Sequence, residues 1–231
     1  KRSQLESVRA DFAAMIQEGE SRLHKLGGLV GTALFGQRFD LKSVVVGEVP
    51  SNKLRFEYAQ SISSSALYAE TDLALGNRIL SQMHFKTNNH YETPSLVANF
   101  VEYQPTSLNQ LAVHKMSTRI KAEEELWNKV CDELFALDTL IKRDKKLQNL
   151  SRYVKDVFGL KIVVGRSEDA AVLQEVLSGL QFTPDELTRV GAPVDATCER
   201  LSFIEVKDYL HGDHTKLSGW EALKSVVQWW D

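Results

Sequence analysis

Cysteine is nearly missing from this 231-residue chain, with only Cys131 and Cys198 present. The pair has neither C-x-x-C spacing nor the framework of a small secreted domain, so it gives no disulfide or metal signal and fits a reducing cytoplasm. Long hydrophobic runs are missing too. No apolar stretch reaches the roughly 18 residues that span a bilayer, and the opening residues are charged and amphipathic rather than signal-like. No membrane partner is expected. The net charge is only -3, which leaves no bulk electrostatic footprint for nucleic acid, and none is expected as a partner. No internal repeat or low-complexity tract is visible. The chain begins without Met and stops at Trp229-Trp230-Asp231, so it is expected to be a piece of a longer protein.

What is present is the composition of a globular protein with a sizeable core, 43% hydrophobic and 26% charged. Leu5, Val8, Phe12, Met15, Ile16, Leu23 and Leu26 follow helical spacing, and Gly27-Gly28 predict a left-handed stop. Ser43 to Val49 and Leu54 to Tyr58 are rich in β-branched and aromatic residues and flank Pro50-Ser51-Asn52, which predicts a strand pair. Ser65 to Met83 reads as one helix. Lys86 to Pro94 and Gln104 to Ser107 read as loops. The second loop sets the expected boundary between an α/β region, residues 1–105, and a domain at residues 106–231. Beyond it, Leu126, Val130, Leu134, Leu137 and Ile141 mark a long amphipathic helix ending in Lys142, Arg143, Lys145 and Lys146. Leu160 to Val164, Leu201 to Val206 and Leu223 to Trp230 read as strands, with a helix from Ser167 to Leu177. The alternation predicts an α+β fold with a mixed β-sheet flanked by helices.

Three segments can carry chemistry. Arg119, Lys121 and Lys129 are read as lying on the long helix, where Lys121 and Lys129, eight residues apart, share a face able to grip a triphosphate. A solvated face with Glu123, Glu124 and Glu125 as partners accounts for the same cations. Asp156 and Gly159 stand just before the Ile162-Val163-Val164 strand. A carboxylate there can hold Mg²⁺ with phosphate oxygens completing its shell, or can simply belong to a turn. Lys216, Gly219, Trp220 and Lys224 lie in and beside one short loop, where the indole can stack on a base or cap a core edge. His211, Asp213 and His214 could form a metal cluster, but a polar loop explains them more simply.

In this order the segments resemble the nucleotide-binding motifs of the RelA/SpoT alarmone synthetase family, over about residues 114–231. That family has an R-x-K element with a further lysine for ATP phosphates, a D-x-x-G-x-R element with a magnesium carboxylate, and P-K-x-N-G-Y-x-S-L-H for the acceptor. The resemblance implies that Arg119, Lys121, Lys129 and Lys161 hold ATP and that Asp156 is the catalytic Mg²⁺ ligand. Lys216, Gly219, Trp220 and Lys224 would then bind the acceptor nucleotide, with Trp220 in place of the stacking Tyr. Lys161 stands where Arg is usual, Ser218 for Asn, Ala222 for Ser and Lys224 for His. The family's catalytic Glu is expected a few residues beyond Asp231. The implied fold is nucleotidyltransferase-like. The implied reaction moves pyrophosphate from ATP to the 3′-hydroxyl of a guanine or adenine nucleotide, the (p)ppGpp chemistry of the stringent response. None of the six histidines forms the His-Asp dipeptide of the family's hydrolase half, so hydrolysis is not expected. Mg²⁺ and ATP are the implied cofactors. An inactive module that binds nucleotide, or a protein partner through the N-terminal region, is the alternative. A scaffold whose basic helix end holds an acidic partner is a third reading.

Overall fold

The computed structural model describes residues 2–36, 38–87, 90–107, 111–120, 157–210 and 221–230. The chain is α+β, with a five-stranded antiparallel sheet and helices. Helix α1 spans Arg2–Phe35, β1 Phe39–Glu48, β2 Arg55–Ser61, α2 Ser64–Ala69 and α3 Asp72–Ser81. There follow β3 Phe85–Thr87, β4 His90–Glu92, β5 Ser95–Pro105, β6 Val113–Ile120 and β7 Phe158–Val164. The chain continues with α4 Ser167–Ser178, α5 Pro184–Val190, β8 Ser202–Asp208 and β9 Leu223–Gln228. The large sheet has the order β2-β1-β5-β6-β7, while β3-β4 and β8-β9 form two-stranded sheets. An antiparallel sheet replaces the expected mixed one. The links between β1 and β2 and between β5 and β6 are too short for the crossover that a parallel pair needs. No helix among the described residues is long and apolar enough to cross a membrane.

Backbone contacts divide the chain into two compact units. The first comprises Lys1–Leu23, Leu41–Glu102 and Thr118–Lys161. Here β1 and β2 pair antiparallel around the predicted turn, with Val44 opposite Ala59, and the Asn52 side chain accepts from Leu54 N–H at 2.9 Å. The expected single helix from Ser65 to Met83 is two helices, because Ser63 and Thr71 each turn a side-chain oxygen onto a backbone N–H and start a new one. Val45, Leu75, Ile79 and Leu80 form a buried cluster, with Phe56, Ile62, Met83 and Leu96 packed against it. The expected loop from Lys86 to Pro94 contains the β3–β4 pair, in which Phe85 stands opposite Glu92.

The second unit comprises His24–Asp40, Tyr103–Ser117 and Ile162–Asp231. Gly27 and Gly28 do not end α1. Leu29 and Val30, just beyond them, are buried, and the helix runs on to Gly36, whose φ of 65° gives the left-handed stop. Gly31 lies so close to Tyr103 and Met116 that a Cβ would come within 3.2 and 3.3 Å of them. The expected loop at Gln104 to Ser107 begins inside β5, whose last residue is Pro105, a strand end where its missing N–H is tolerated. Helix α5 opens with a capping box of Thr183 and Glu186 and closes on Gly191, with φ of 68°. Lys25 donates to the Gly191 carbonyl at 2.7 Å and lies 5.0 Å from the Trp230 ring centre.

Candidate functional site

Arg119 is on β6 and not on a helix. The segment Val113–Ile120 buries Val113, Met116 and Thr118 and exposes His114 and Arg119. Pairing with β5 on one side and β7 on the other makes it a strand. The helical face expected for Arg119, Lys121 and Lys129 therefore fails for Arg119, while Lys121 and Lys129, like the long helix expected around them, lie outside the described residues. Asp156 also lies outside them.

The neighbouring strand β7 carries Lys161 at an exposed position. Gly165 N–H donates to the Ala112 carbonyl at 3.2 Å, and a Cβ on Gly159 would lie 3.8 Å from the Arg119 carbonyl oxygen. The strands therefore run antiparallel, and the chain leaves β6 at Ile120 and enters β7 at Phe158 at the same end of the sheet. Beyond β7, Arg166 pairs with Asp169 at 3.0 Å and holds that carboxyl below its ordinary range.

Lys224 is on the separate β8–β9 ribbon, where it stands directly opposite Lys207. Both lysines are exposed. Like charges at facing positions destabilise a strand pair, and the Lys207–Glu205 contact at 3.2 Å offsets this in part. Tyr209 N–H donates to the Ala222 carbonyl at 2.9 Å, so the two ends of the connecting segment are tied together. Ser225 donates to Gln174 of α4 at 2.8 Å. Lys216, Gly219 and Trp220 lie outside the described residues, as do His211, Asp213 and His214.

A second cluster of polar groups is buried in the first unit. Glu20 on α1 accepts from the backbone N–H of Asp72, the first residue of α3. Their carboxylate oxygens offer ligand atoms within 4.8 Å of each other. Asn99 of β5 donates to the Asp72 carbonyl at 2.6 Å and accepts from Ser43 of β1 at 3.0 Å. His24, also buried, follows Glu20 by one turn of α1, so residue types that bind divalent cations are present. The Glu20 carboxylate already caps α3 and compensates its N-terminal dipole, which gives it a structural role.

No protein family, curated protein or solved structure matched this chain. Function therefore rests on the residues themselves.

Sequence reasoning missed Lys207 and the Glu20–Asp72 cluster. Lys207 is one of 28 basic residues, and nothing singles it out until the ribbon register places it opposite Lys224. Glu20 sits in a helix pattern that otherwise predicts only a packing stripe.

Proposed function

We propose that the chain is a RelA/SpoT-like nucleotide pyrophosphotransferase of the cytoplasm, transferring pyrophosphate from ATP to the 3′-hydroxyl of a guanine or adenine nucleotide. The observation that carries this reading is the pairing of β6 with β7. It puts Arg119 and Lys161, from motifs about forty residues apart in sequence, on neighbouring strands at exposed positions. Two cations so arranged suit a polyphosphate, whose charge they neutralise. Taken by itself, the ribbon holds Lys224, an acceptor residue on the resemblance, opposite Lys207, and an anion there would relieve their mutual repulsion.

In the proposed reaction the acceptor 3′-oxygen attacks the β-phosphorus of ATP. The bond to the α-phosphate oxygen breaks, AMP leaves with the electron pair, and the hydroxyl proton passes to a carboxylate base. Arg119 and Lys161 hold the phosphates in line and take up developing charge. Asp156, on the resemblance, would hold Mg²⁺, which would supply neutralisation of phosphate charge.

The test is incubation of the protein with Mg²⁺, γ-labelled ATP and each of GTP, GDP, ATP and AMP, with products separated by chromatography. A labelled 3′-pyrophosphorylated nucleotide, lost in Asp156→Asn, is expected. No product with any acceptor would overturn the transferase reading, and ATP binding without transfer would leave a nucleotide-binding module.

A further inference from the structure

We infer that helix α1 is a positioning element for the ATP-phosphate cations, acting through the contact of Gly19 with Phe158; the inference rests on the function proposed above. Gly19 lies in the middle of the 34-residue helix, a place where glycine weakens a helix and its presence asks for a packing reason. The reason is the Phe158 ring, which lies directly on the Gly19 backbone. A Cβ added there would overlap the ring itself, leaving no room even for alanine unless the phenyl group moves.

Phe158 begins β7. The next residue, Gly159, lies against the Arg119 carbonyl of β6, and Lys161 is three residues on. One aromatic contact therefore sets the start of the strand that carries one phosphate cation and pairs with the strand that carries the other. Glu20, adjacent to Gly19, accepts the Asp72 N–H at the head of α3. The same turn of α1 is thus fixed to α3 by its carboxylate and to β7 by its missing side chain. Helix α1 precedes the part of the chain that resembles a synthetase, and on this geometry it belongs to the ATP site and is not an independent appendage.

The experiment uses the whole chain and measures ATP binding by calorimetry with Mg²⁺ present, together with the separate KM values for ATP and acceptor. Gly19→Ala, which displaces the ring, should weaken ATP binding by about tenfold or more, since shifts near an ångström have effects of that order. The KM for acceptor should stay unchanged. The variant Gly19→Ala/Phe158→Ala should bind ATP as Phe158→Ala alone does, because the clash is gone. Should Gly19→Ala not fold, Phe158→Ala carries the test, since its partly exposed ring can be removed without opening a core; it should raise the KM for ATP several-fold and leave the acceptor KM alone. Wild-type ATP affinity in a folded Gly19→Ala protein, or a parallel rise in both KM values, would overturn the inference and leave the proposed function intact. A wild-type protein that binds no ATP would overturn both.

Discussion

Asn99 satisfies two buried groups with one amide, giving a hydrogen bond to the Asp72 carbonyl and taking one from Ser43. Asn99→Ala leaves both without that partner, and a destabilisation of about 1–3 kcal/mol is expected in urea unfolding. Ser43→Ala added to it should subtract less than its own single effect, because the shared bond is already lost. Trp220→Ala is expected to weaken acceptor binding by roughly 1–3 kcal/mol, the worth of a base stack. Unchanged affinity in a nucleotide titration would remove Trp220 from the site. Residues of this kind differ in how far the sequence discloses them. The proposed roles of Arg119, Lys161 and Lys224 rest on motif spacing, whereas Asn99 and Glu20 gain theirs from partners dozens of residues away, which no local pattern encodes.

Helix α5 shows how local chemistry sets an element. The Thr183 hydroxyl accepts from Glu186 N–H, and the Glu186 carboxylate accepts from Thr183 N–H at 2.8 Å. Thr183→Ala is expected to lower stability by about 1 kcal/mol. The backbone N–H and the hydroxyl of Thr183 hold the Glu186 carboxyl below its ordinary range. A depressed folded pKa means that this contribution is complete above the unfolded-state value and is lost as pH falls through the lower folded value. The stability difference between wild type and Glu186→Gln should accordingly shrink on acidification, as unfolding curves recorded across the glutamate range will show; a difference independent of pH would rule out the carboxylate as its source. Elements such as the β1–β2 hairpin were legible because Val44, Val45 and Val46 and the Pro50-Ser51-Asn52 turn speak locally. Gly27-Gly28 misled because tertiary burial of Leu29 and Val30 overrides a weak propensity. Arg119 read as the start of a helix because the cations after it follow helical spacing, whereas its strand is set by pairing with β5 and β7.

For the molecule as a whole, composition and alternation disclosed the α+β class, but the antiparallel order depends on pairings that the residues do not announce. The β8–β9 ribbon is the feature with the widest reach. Among the described residues its two strands pair only with each other, and Ile204, Val206 and Val227 are exposed on it at 62%, 49% and 37%. Unpaired strand edges carrying apolar side chains invite another chain to zip on, and lysines are a common deterrent. Lys207 and Lys224, exposed on this ribbon, are placed to deter such self-assembly. The double variant Lys207→Ala/Lys224→Ala should scatter more light as concentration rises, and scattering equal to wild type would remove this protective role. Were the proposed nucleotide to occupy the ribbon, it would mask the same charges, and the protein's colloidal behaviour would then follow how much nucleotide surrounds it.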